Sequence, residues 1–166
     1  FEEPAVVLAQ AEALAHAARQ HEQFRVLAAL HQHTARAAAI LGDAQQALRF
    51  IEDALELADT KEETADALLM KIDALLSAGD QGAAKRVLAS LPKVPSDNIS
   101  LDFLVARARF EVGELEGTEE LLRSCIERES GLADAHYYLG LTLDAKQDPR
   151  GATVSFLQAR ELDLRQ

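Results

Sequence analysis

Four matching turns divide this chain at nearly even intervals, and that periodicity limits what it can fold into. Gly42-Asp43, Gly79-Asp80 and Gly113-Glu114 are three of them, and Gln147-Asp148 falls where a fourth is due; the spacings are 37, 34 and 34 residues. Around each turn the same small and large positions recur. Ala47, Ala84, Thr118 and Ala152 come five residues after the first turn residue, Ile51, Leu88, Leu122 and Phe156 four further on, and Ala54, Leu91, Cys125 and Ala159 three beyond that. Gly ends a helix by entering the left-handed conformation, and Asp caps the free N–H groups of the next helix. Small residues let antiparallel helices approach closely, and the large residue one turn away fills the space between them. One such helix pair cannot bury its apolar stripe alone, so the pairs must stack as a repeat array.

The rest of the sequence agrees with an all-helical reading. Hydrophobic residues make up 48% and aromatics only 5%, Trp is absent, and there are 8 Gly and 4 Pro in 166 residues. That balance favours helices over a β-sandwich. Helix pairs are expected at about 24–41 with 44–58, 62–78 with 81–91, 99–112 with 115–129, and 133–146 with 149–163. A leading helix is expected over about 4–20. Thr60 and Glu63 have capping-box spacing, and Asp148-Pro149 starts a helix with Pro at its first position. The segment Leu91–Asn98, with Pro92 and Pro95, forces an extended connector and reads as a long turn between repeats.

These positions resemble the tetratricopeptide repeat, a 34-residue helix–turn–helix unit. Leu139-Gly140, Asp148, Ala152, Phe156, Ala159 and Leu162-Asp163 carry the likeness in the last unit. Gly42-Asp43, Ala47, Ile51, Ala54-Leu55 and Leu57 carry it in the first. The middle units depart from the pattern at Lys71-Ile72 and Thr118, and His31, Leu68, Asp102 and His136 replace the family's large aromatic residue. The resemblance implies an all-α solenoid. A leading helix at 1–22 precedes an array over 23–166, with repeats at about 28–61, 62–98, 99–132 and 133–166.

In that family the first helix of each pair lines a concave face, which designates candidate groove residues here. They are Gln32, His33 and Arg36 from the first pair, Leu69, Met70 and Asp73 from the second, and Phe103, Arg107 and Phe110 from the third. The fourth contributes Tyr137, Tyr138, Leu141 and Asp144. Tyr138, together with Leu104, has the alternative role of packing into the core. Both tyrosines of the chain and two of its six phenylalanines fall on this surface. Large rigid rings and an adaptable Met suit capture of an apolar or mixed protein segment. The positions lack the Lys and Asn needed to clamp a C-terminal carboxylate as Hsp70- and Hsp90-binding members do.

Several function classes are disfavoured. A net charge of −11 opposes nucleic-acid binding, which needs a basic face against phosphate. One Cys excludes an internal disulfide and a multi-Cys zinc site. Arg25 stands where His21-Glu22 would need a second zincin His, and His31 and His33 are too close in sequence to share a helix face. No glycine pattern forms a nucleotide loop, and no apolar run matches a membrane span. The expected protein is therefore a noncatalytic interaction scaffold without cofactor, metal, nucleic-acid or membrane partner, with cytoplasm the favoured compartment. Cys125 is expected to be a buried structural thiol. Leu157, Leu164 and part of the Val154 face are expected to be exposed after the last repeat, which suggests homodimerisation there or further protein beyond. Two alternatives follow: the repeat arm of a larger multidomain enzyme, such as a zinc peptidase, whose catalytic domain lies outside this chain, and a self-assembly module acting through the exposed C-terminal helix.

Overall fold

Each helix end is set by a short backbone signal, and the same signal recurs down the chain. A computed structural model describes Ala9, Ala13, Ala35, Ala38, residues 43–93 and residues 98–164. Its helices are α1 (Ala44–Glu56), α2 (Lys61–Ser77), α3 (Gln81–Ala89), α4 (Ile99–Glu111), α5 (Leu115–Arg128), α6 (Ala133–Ala145) and α7 (Pro149–Asp163), with no strand among the described residues. Gly79, Gly113 and Gln147 take φ values of 79°, 84° and 64°. These left-handed residues close the Schellman pattern. The Asp80, Glu114 and Asp148 N–H groups donate back to the Leu75, Arg109 and Leu143 carbonyls at 2.9, 2.9 and 2.8 Å. Asp43 N–H reaches the Ala38 carbonyl at 2.9 Å in the same way; Gly42 lies outside the described residues.

The residue that completes one helix then starts the next. Asp43, Asp80 and Asp148 carboxylates accept from the N–H groups of Gln46, Ala83 and Gly151. Glu114, one methylene longer, makes no such cap. Thr60 and Glu63 form the expected reciprocal capping box at the start of α2. Both ends of α7 match the sequence reading, because Asp148-Pro149 marks its start without ambiguity. At the other extreme α3 stops at Ala89, two residues short of the expected 91. Pro92 disfavours helical geometry at Leu91, which lies half-buried beyond the helix.

The chain forms two compact units, Phe1–Val94 and Pro95–Gln166, dividing inside the proline-containing segment that the sequence suggests as a turn between repeats. In the first, Ile51 of α1 and Ile72 of α2 are 2% and 0% exposed among Ala47, Ala54, Ala65, Ala67 and Ala74. In the second, Leu122 and Cys125 of α5 are wholly buried, and Leu122 joins Ala106, Ala135, Leu139, Leu143 and Ala152 in a shared core. The hydroxyls of buried Thr118 and Thr142 donate to carbonyls one turn back, Glu114 at 2.7 Å and Tyr138 at 2.8 Å, so neither is orphaned. Helices α6 and α7 pack closely at Gly140. A Cβ on Gly140 would lie 2.6 Å from the Phe156 ring, so only glycine allows that ring to sit where it does. The expected leading helix apart from Ala9 and Ala13, both helical and exposed, and the first helix of the first pair apart from Ala35 and Ala38, lie outside the described residues.

The turns generate opposite outcomes for two substitutions. Gly113→Ala adds a Cβ that meets no atom within 4 Å, so its cost is conformational, about 1 kcal/mol. Gln147→Gly relieves the same penalty and stabilises by about 0.5 kcal/mol after the added unfolded-state entropy. Thermal or urea unfolding of the two variants checks both signs.

Candidate interaction surface

In the second unit the stacked helices α4 and α6 bring four predicted residues into one connected aromatic group. Tyr138 is its hub. Its ring lies 5.8 Å from each of Phe103, Phe110 and Tyr137, with interplanar angles of 75°, 82° and 88°. These edge-to-face pairs are the arrangement that ring quadrupoles favour, each adding about 0.5–1.5 kcal/mol beyond area burial. Tyr137 continues the group to Phe156 of α7 at 5.8 Å. Two helical turns separate Phe103 from Phe110, so both reach the same side of α4 and bracket Tyr138.

The group is anchored below and open above. Phe103, Tyr138 and Phe156 pack against the buried core, whereas Tyr137 remains 48% exposed. Burial pushes the Tyr138 phenol above its usual range; the Arg107 guanidinium opposes that shift, and Glu111, Tyr137 and Asp134 reinforce it. Arg107 and Leu141 are half-buried and Asp144 is exposed. Beside Phe103, a hollow of about 470 Å³ opens between the starts of α4 and α6, with Phe103, Leu104 and Leu132 as apolar walls. Glu129, Asp134 and Asp163 line it too. Sequence reasoning missed these three carboxylates, because they come from separate segments and each looks like an ordinary solvated charge.

The remaining predicted residues are distributed differently. Leu69 is only 5% exposed, buried in α2 rather than presented as a contact residue. Helix α2 buries Ala65, Ala67, Leu69, Ile72 and Ala74, residues on more than one side, so its face could not be read from spacing. Met70 is half-buried against Ala35, Ala38, Ala47, Ile51 and Ala74, and Asp73 is exposed. Gln32, His33 and Arg36 lie outside the described residues. Cys125 is buried, and burial raises its thiol pKa, in keeping with an inert packing role. No group of three or more His, Cys, Asp or Glu among the described residues is placed to hold a metal ion. No helix among them is long and apolar enough to cross a membrane.

Charged pairs also tie helices α4, α5 and α6 together. Arg128 of α5 meets Asp102 of α4, and Glu119 of α5 bridges Arg123 on its own helix and Lys146 at the end of α6. The Lys146 hydrogen bond and then the Arg123 hydrogen bond hold the Glu119 carboxyl below its ordinary value of 4.5. A depressed carboxylate contributes stability that is present above about pH 4.5 and lost as pH falls through the lowered value. Glu119→Gln is therefore expected to melt below the parent at pH 7, with the gap closing on acidification from pH 5 to 3. Thermal melts across that range check it.

Helix hairpins joined by left-handed turns, with small residues at the crossings and Gly140 under Phe156, define the fold of tetratricopeptide-repeat α-solenoids. Solved structures of two such proteins share it at low sequence identity. YrrB, described as a tetratricopeptide-repeat protein with an unusual peptide-binding site, is 15% identical and superposes with a TM-score of 0.62 over 89% of this chain and 82% of its own. MamA from Desulfovibrio magneticus RS-1 (residue 41 to its end) is 19% identical, with a TM-score of 0.62 over 96% and 97% of the two chains. A further MamA crystal structure gives 16% and 0.63, covering 92% and 95%. No family model matches the chain, and no curated protein matches it.

Proposed function

We propose that this chain is a noncatalytic interaction scaffold that captures a peptide or partner protein on the first-helix faces of its repeats. In the second unit the contact surface is Phe103, Arg107, Phe110, Tyr137, Tyr138, Leu141 and Asp144; Met70 and Asp73 serve the first unit. The observation that carries the reading is the aromatic group centred on Tyr138, anchored on the core yet open at Tyr137. Rings already fixed by their neighbours lose little entropy when a ligand lands on them. The adjoining acid-lined hollow favours a mixed segment, an apolar side chain followed by a basic one. The peptide-binding site described for YrrB supports the same class of function.

Peptides selected by phage display against the protein provide the test. Phe103→Ala with Tyr137→Ala is expected to weaken their binding at least tenfold, about 1.4 kcal/mol, while circular dichroism still reports a cooperatively folded helical protein. Tyr137→Ala alone, at an exposed position, separates lost contact from lost packing. Unchanged affinity in both variants removes this surface from the account.

A second reading has its own observation. Val154, Leu157 and Leu164 on or just after α7 are 56%, 47% and 81% exposed, an apolar surface with no cover among the described residues. It supports self-association through α7. Light scattering over a concentration series is expected to show a dimer that Leu157→Glu abolishes; a monomer throughout contradicts it.

A further inference from the structure

On a different side of α6 from the tyrosines, a second cavity of about 440 Å³ lies between α5 and α7. Its α6 floor is His136, Leu139 and Leu143, spaced so that all three share one helix face. Ile126 of α5 and Val154 of α7 form apolar walls. His136 is 6% exposed, and its Nε2 donates to the Ser130 carbonyl at 3.3 Å, which fixes the ring as part of the floor. Its Nδ1 is sealed from solvent and has no partner among the described residues.

Guanidinium groups edge this cavity from two helices. Arg123 and Arg150 stand on opposite helices, with Glu127 the one lining carboxylate, in a chain of net charge −11. Arg123 spends Nε and one terminal nitrogen on Glu119, both at 3.0 Å. Arg150 is exposed at the start of α7 and makes no ion pair or hydrogen bond with the described residues. The N-terminus of α7 is already capped by Asp148, whose carboxylate accepts from Gly151 N–H at 3.0 Å, so among the described residues the site's free positive charge is the Arg150 guanidinium alone. An apolar floor of this size with an available guanidinium at its edge matches one aliphatic side chain with a carboxylate close beside it.

We propose that the α5–α7 cavity is a second docking site, taking an acidic–aliphatic segment of a partner protein, with its carboxylate on Arg150 and its aliphatic side chain over Leu139 and Leu143. The site is independent of the Tyr138 surface in both position and charge preference. A partner segment that is apolar and basic would suit one face, and one that is apolar and acidic the other.

The test uses a fluorescein-labelled peptide of alternating leucine and glutamate, with leucine–glutamine and leucine–lysine peptides as comparisons. Fluorescence anisotropy gives affinity, and amide chemical shifts of the labelled protein give location. The glutamate peptide is expected to bind at least tenfold more tightly than either comparison, with shifts centred on Gly151, Val154 and Ser155. Arg150→Glu is expected to remove that preference, and the exposed position leaves the fold intact by circular dichroism. Tyr137→Ala is expected to leave binding unchanged, which separates this site from the aromatic surface. Equal binding of the glutamate and glutamine peptides, shifts centred on Phe103 and Tyr137, or no binding at millimolar peptide would each overturn the proposal.

Discussion

The left-handed residue at the Gly79, Gly113 and Gln147 turns is the constraint on which the rest of the structure depends. With φ near +80° at Gly79 and Gly113, the chain folds back after two hydrogen bonds that use the preceding helix's last carbonyls. The next residue caps the following helix at three of the four turns. Such a short connection leaves successive helices only an antiparallel, closely packed arrangement. Close packing in turn demands Ala47, Ala84, Thr118 and Ala152 at the crossings, and all four are buried. In the second unit the α4–α5 pair still has an apolar side uncovered, and the α6–α7 pair covers it.

The aromatic surface is a consequence of that stacking. In the second unit, α6 is packed by α5 on one side and α7 on another, while α4 lies alongside. Tyr138 is therefore held from below by the core and from two sides by Phe103 and Phe110. Tyr137, next in the chain, points to a different side and stays open to solvent. The same arrangement creates the second cavity, because α5 and α7 diverge over the His136, Leu139 and Leu143 face of α6. Two chemically opposite surfaces thus arise on one helix, one ringed by acids and aromatics and the other edged by arginines.

The turns were legible in the sequence because glycine, aspartate and proline act locally. Helix α7 agrees at both ends with its reading from sequence, and the Thr60–Glu63 box closes as its spacing implies. Local signals also explain the shortfall at α3, where Pro92 acts on the residue before it. Exposure was less legible. Leu69 sits at a position that register assigns to the open face, yet α2 packs on more than one side and buries it. The acidic hollow and the arginine-edged cavity were not legible, since Glu129 with Asp163, or Arg123 with Arg150, meet only through tertiary packing.

The central claim is that ligand contact falls on α4 and α6 at the Tyr138 group. Carbon-13 labelling of the Phe and Tyr rings, followed through a titration with a selected peptide, measures this directly. The account predicts intermolecular nuclear Overhauser effects to the Tyr137 ring and to the edges of Phe103 and Phe110. Contacts confined to α5 and α7, with the aromatic resonances unmoved at saturation, would contradict it.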